Sequence, residues 1–204
     1  MIEPQQMPGP ENIDHFNSII KYRRSSTPPL YEKGKVIPQE IIQQILVNAN
    51  YAPNHKKTEP WRFTIFTGEG LKKLSEMQAD IYKKYAGEKF SELKLRKLVD
   101  FPLMCSHIIA IGMKRDEAKR IREIEEIEAV ACAVQNMFLT ATAYGLGAYW
   151  STGGITYFEE SKPYFNLGEE DHLLGFFHLG YLHQLSGEGY KRGSIDDKVK
   201  WVRE

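Results

Sequence analysis

From residue 129 to residue 150 the chain carries no charged side chain. A stretch of that length could span a bilayer, which takes about 20 apolar residues in a helix. Gln135, Asn136, Thr140 and Thr142 interrupt it, however, and Gly145 and Gly147 break it near the end. Just upstream, Ala118, Ile121, Ile124 and Ile127 already recur at helical spacing. The pattern therefore predicts a long helix over 117–144 that enters the protein core and stops at Tyr144-Gly145. A strand over 146–150 follows.

The rest of the chain agrees with a water-soluble protein. It has 204 residues, with 27 Lys+Arg against 27 Asp+Glu. That length suits one domain with a self-sufficient core. Zero net charge argues against nucleic-acid or anionic-membrane binding, since both need a positive field. Cys105 and Cys132 lie in apolar stretches without metal-ligand or redox spacing, and read as buried thiols. No secretory leader is visible in the first residues, so a cytoplasmic location is expected.

Periodicity orders the remaining elements. Residues 1–12, with Pro4, Pro8 and Pro10, read as a loose arm before a single domain over 13–204. A short helix over 12–21 leads into Tyr22-Arg23-Arg24-Ser25-Ser26. Pro38 opens a helix over 38–50 with Ile41, Ile45 and Ala49 on one face. A strand over 61–67 and a helix carrying Leu71, Leu74, Met77 and Ile81 come next. The lysine-rich stretch 83–97 reads as a solvated face. Strands over 108–113 and 173–182 and a helix near 158–165 complete the list. Strands and helices interleave irregularly, so the expected fold class is α+β with a central mixed sheet surrounded by helices.

Few residues stand out as chemistry. There is no G-x-G-x-x-G after a strand, no Walker loop, no nucleophile elbow and no metal-ligand histidine spacing, so no metal is expected. His107 and His178 read as satisfied core histidines, and Glu123, Glu125, Glu126 and Glu128 as a solvated face. Three features remain. Arg23-Arg24-Ser25 sets two guanidinium forks and a hydroxyl side by side, as a phosphate dianion requires. Residues 52–63 place a basic loop, with Asn54, His55, Lys56, Lys57, Thr58 and Glu59 between two prolines, ahead of a buried strand. Tyr149-Trp150-Ser151-Thr152-Gly153-Gly154 ends a strand in glycines that let backbone N–H groups approach a flat ligand.

In this order the three features resemble the nitroreductase family of flavoproteins, over about residues 19–192. The likeness is nearest to smaller members whose loop reads Ala-Pro-x-His-Lys, as Ala52-Pro53-Asn54-His55-Lys56 does here. The resemblance implies FMN as cofactor and NAD(P)H as electron donor. It implies that Arg23, Arg24 and Ser25 hold the FMN phosphate and ribityl region, joined by the basic pair Lys191 and Arg192. His55 and Lys57 would contact the flavin ring or ribityl chain, and Ser151, Thr152, Gly153 and Gly154 would lie against the isoalloxazine. It further implies a domain-interlocked homodimer, for which the charge-free half of the long helix, 129–144, is the natural core. Gln135 and Asn136 would then find partners across it, and a charge at Phe138 would break it. The expected activity is hydride transfer from NAD(P)H, through the flavin, to a nitroaromatic, quinone or related small-molecule acceptor by a ping-pong mechanism. Since the flavin performs the chemistry, no catalytic side chain is required. The alternatives are a flavin-binding protein without turnover, or a specialised relative that fragments flavin or dehalogenates reductively.

Overall fold

The computed structural model describes residues 10–184 and 192–203. Four strands form one sheet in the order β1-β2-β4-β3: β1 Trp61–Thr67, β2 His107–Met113, β3 Leu146–Ser151 and β4 His172–Tyr181. The helices are α1 Ile13–Tyr22, α2 Gln39–Asn50, α3 Glu69–Tyr85, α4 Glu92–Asp100 and α5 Glu123–Ala143. An α+β architecture is thus present. Of the expected arm, Pro10–Asn12 form a 3-10 turn and the rest lies outside the described residues.

The sheet is not mixed. Every strand pair is antiparallel. Helix α5 does carry the chain from β2 to β3 in the manner of a parallel crossover. Strand β4 then enters between those two strands and runs against both, so the parallel pair never bonds to each other. Both faces of the sheet are covered, which is why β2 is buried at every position. On one face Ile109, Ile111, Phe177 and Leu179 meet α2 and α5. On the other, Ile108, Ala110 and Phe176 meet α3 and its neighbours. Pairing slips by one residue between Ile111 and Gly112, so Leu173 and Leu174 both turn towards apolar surroundings.

Helix α5 starts six residues later than its hydrophobic pattern suggests. The segment 117–122 is held as a loop, because Glu126 turns inward to receive Arg115 and the backbone N–H of Asp116. Glu126 is fully buried, which overturns its reading as part of a solvated face. The neighbouring carboxylates are also engaged, Glu123 with His172 at 2.5 Å and Glu125 with His55 at 2.6 Å. Three acidic residues in the first turn suit the positive end of a helix dipole. Among the described residues no helix is long and apolar enough to cross a membrane.

Two further expectations change. Cys105 is buried but Cys132 is exposed, because it sits on the outward stripe of α5 with Ala131 and Gln135. Asn136 and Phe138 face inward: the Asn136 amide donates to the Asn48 carbonyl at 3.0 Å, and Phe138 packs edge-on against Phe177 at 4.7 Å. A charge at Phe138 would therefore test the core of one chain and not an interface.

Candidate functional site

Arg23, at the C-cap of α1, and its two followers are fixed by a strap. The Ser26 N–H donates to the Ala148 carbonyl at 2.8 Å, and the Glu32 N–H to Tyr181 at 2.7 Å. Between them Tyr31 lies flat over Gly147 and Gly180, which are paired in register. A Cβ on Gly180 would meet the Tyr31 ring at 2.5 Å, so only glycine allows the strap to close on the sheet. The Tyr31 hydroxyl, buried in that contact, donates to the Ser26 carbonyl at 2.6 Å. This places Arg23, Arg24 and Ser25 at the β3 edge of the sheet, where with Ile20, Lys21 and Arg192 they line a cavity of about 490 Å³.

The cavity is strongly cationic. No carboxylate pairs with Arg23, Arg24 or Arg192 among the described residues, and burial, then Arg192 and Arg24, lower the Arg23 pKa. Three guanidinium groups around one open volume have the donor chemistry to receive an anion. The Arg23 guanidinium also rests over the Phe138 ring at 5.0 Å, which orients it. Lys191 lies outside the described residues.

At the end of β3, Ser151, Gly153 and Gly154 line a second cavity of about 180 Å³. Strand β4 shapes it. Gly175 is at φ 119°, and a Cβ there would stand 2.2 Å from the Ser151 carbonyl oxygen. The Ser151 hydroxyl and His178 Nε2 are 3.0 Å apart, and His178 Nδ1 faces the Cys105 sulfur at 3.6 Å. Burial lowers the His178 pKa to about 3, so the imidazole stays neutral, and the same cause pushes the Cys105 thiol well up. Beyond the strand, Thr152 is exposed. The N–H groups of Thr152, Gly153 and Gly154 have no hydrogen-bond partner among the described residues, while Thr156 pins the Gly153 carbonyl at 2.8 Å.

The third feature, the loop before β1, stands apart. Lys56, Lys57 and Glu59 hold φ of 51°, 55° and 44°. Each such non-glycine residue costs about 1–3 kcal/mol unless its surroundings enforce it. Here the Asn54 side chain accepts from the Glu59 N–H at 3.1 Å, and His55 is anchored to Glu125. Backbone strain of this kind concentrates at working sites. Yet His55 stands at the start of α5, whereas Arg23 packs on Phe138 in its second half. At 1.5 Å per residue these helix positions are about 20 Å apart. One chain thus joins Arg23, Arg24, Ser25 and Arg192, and separately Ser151, Gly153 and Gly154, but leaves His55 and Lys57 remote.

A profile of the Nitroreductase family matches residues 20–181, most of the chain and all four strands. The chain belongs to the nitroreductase family. A Bacillus subtilis (strain 168) protein with the provisional name NAD(P)H nitroreductase YfhC is 29% identical over 193 residues, covering 94% of this chain and 98% of its own. A nitroreductase-like family protein from Bacillus cereus is similar in structure, with a TM-score of 0.77 and 28% identity over 93% of this chain and 96% of that one. The FMN-dependent nitroreductase NfnB from Mycobacterium smegmatis, solved in complex with NADPH, shares the fold. Its TM-score is 0.71 at 14% identity, over 94% of this chain and 100% of that one.

Sequence reasoning did not find Gln78, Lys94 or Lys97 as cavity residues, nor His178 as the support of Ser151. The pairing of Tyr149 with His178 is the signal that brings His178 to the site, and only the sheet register reveals it.

Proposed function

We propose that this nitroreductase-family chain is an FMN-dependent oxidoreductase that draws hydride from NAD(P)H and reduces small acceptors such as nitroaromatics or quinones. The observation that carries the reading is the convergence of Arg23, Arg24, Arg192 and Ser25 on one cavity without a carboxylate to neutralise them. That donor set fits a phosphate of nearly two negative charges. FMN, when bound, supplies the hydride and electron chemistry, and the protein binds, orients and tunes.

The chain's own groups divide this work. The guanidinium forks hold the phosphate end. The free N–H groups of Thr152, Gly153 and Gly154 are donors for negative charge that develops at the edge of a reduced ring. Neutral His178 fixes the Ser151 hydroxyl without adding a charge of its own. His55 and Lys57 join the same ligand only in a homodimer, where the loop of one subunit reaches the phosphate cavity of the other. The outer surface of one chain supports such a dimer. Helix α1 buries none of its residues, with Ile13, Phe16 and Ile20 at 52%, 51% and 44% exposure, and α5 presents Ala131, Cys132 and Gln135.

The test is the absorption spectrum of the purified protein with FMN, before and after addition of NADH or NADPH. Bound FMN should bleach with at least one donor. Arg23→Ala should weaken FMN about tenfold, as loss of one charge-assisted hydrogen bond implies. Riboflavin binding as tightly as FMN would refute the phosphate clamp.

A further inference from the structure

Phe101, Cys105, His178 and Ser151 form one hydrogen-bonded chain that runs from the segment ahead of β2 to the end of β3. What its members can donate or accept fixes the direction of each hydrogen. A carbonyl only accepts, so the 3.2 Å contact between the Cys105 sulfur and the Phe101 carbonyl holds the thiol hydrogen. The same carbonyl takes the Met104 N–H at 3.1 Å on its other lone pair. A thiol has one hydrogen, so the sulfur turns a lone pair to His178 Nδ1 at 3.6 Å. Nδ1 must then carry the imidazole hydrogen. Burial keeps the ring neutral, which leaves it one N–H and makes Nε2 bare. The Ser151 hydroxyl therefore donates to Nε2 at 3.0 Å, in preference to the Phe176 carbonyl at 3.4 Å. Its hydrogen points into the protein, and only its lone pairs remain for a ligand.

We propose that Cys105 is a positioning residue: through His178 it fixes Ser151 as an acceptor only, so that a group meeting Ser151 must bring its own N–H or O–H. This sets an acceptor beside the backbone donors of Thr152, Gly153 and Gly154. The direction of the chain follows from the fold alone, whereas its effect on a flavin rests on the reading given above. Reduction of a flavin adds hydrogen to a ring nitrogen, so an acceptor turned towards the ring favours the reduced state.

The tautomer is read from the two ring nitrogens of His178 by NMR of isotope-labelled protein free of flavin, with His178→Gln for assignment. The wild type should show a protonated Nδ1 and a bare Nε2. Cys105→Ala removes the acceptor at Nδ1 and should reverse the tautomer, so that Nε2 donates to Ser151 and the hydroxyl hydrogen turns away from it. Cys105→Ser keeps one hydrogen and a lone pair in the same place and should retain the wild-type pattern. If Cys105→Ala does not fold, the wild-type spectrum still decides the direction of the chain. With FMN bound, Cys105→Ala should lower the flavin potential, reduced FMN losing about fivefold in affinity relative to oxidised FMN, as exchange of one neutral hydrogen bond implies. Cys105→Ser should restore it. A protonated Nε2 in the wild type, or a tautomer unmoved by Cys105→Ala, would overturn the proposal. So would a reversed tautomer that leaves the flavin potential unchanged, since Ser151 would then receive no hydrogen from the ligand. A reversed tautomer in a protein that binds no flavin would uphold Cys105 as the positioning residue and overturn the flavin reading alone.

Discussion

His178 shows what burial does to a single side chain. Enclosed between Ser151 and Cys105, it titrates at about 3 in the folded protein against 6.5 for a free imidazole. Between those values the unfolded chain binds a proton that the folded chain refuses, so stability falls as pH falls through this window. At pH 5 the deficit relative to pH 7.5 is about 2 kcal/mol from this residue. His107, also lowered by burial, acts in the same direction, while Asp116, held down to about 2 by Arg120, acts only below its free value of 3.8. Urea unfolding at the two pH values should show the loss, and His178→Gln should reduce the difference without removing it. An unchanged difference in that variant would mean that His178 is not the group responsible. Glu126 is the opposite case: it is buried as an ion pair with Arg115, and removing one partner of such a pair costs about 3–5 kcal/mol.

At the scale of elements, α5 has two lives. Its inner face, with Val130, Ala133, Val134, Met137 and Ala141, packs on the sheet and explains why the segment carries no charge. Its outer stripe of Ala131, Cys132 and Gln135 is small and weakly polar, and α1, with exposed Ile13, Phe16 and Ile20, meets the same helix nearer its C-terminal end, where Phe16 and Ile19 line a cavity with Leu139 and Ala143. If that surface is the dimer seam, Ala131→Glu should give a folded monomer in light scattering, with native circular dichroism, and should lose FMN affinity at the same time. A dimer that persists in this variant would move the seam elsewhere. Helix α4 carries a similar lesson. Its lysines read as a solvated face, and they are exposed, but Lys94 and Lys97 share the side that overlooks a cavity.

At the scale of the molecule, the separation of about 20 Å along α5 between the His55 anchor and Arg23 has a direct consequence for subunit mixing. A site made from both chains can be rescued by two defective partners. Arg23→Ala and the double variant His55→Ala/Lys57→Ala should each bind FMN poorly. Unfolded together and refolded as a mixture, they should recover about a quarter of the wild-type flavin sites, because half of the dimers are mixed and each of those holds one intact site. No recovery would indicate that each site is built within one chain.

The sequence alone determined the element list closely, because periodicity is a local property. Strand β1 matches its alternation over 61–67, and α2 follows Pro38 directly. It also made Arg23, Arg24 and Ser25 legible, since neighbours along the chain at a helix end stay neighbours in space. Only the tertiary structure decided what depends on non-local pairing. The insertion of β4 between β2 and β3 made the sheet antiparallel, and the register of β3 on β4 set His178 behind Ser151. The late start of α5 followed from one buried carboxylate, Glu126, finding Arg115 across a loop. Hydrophobic spacing records which face of a segment is turned inward, but a polar partner brought in from elsewhere in the chain leaves no periodic trace.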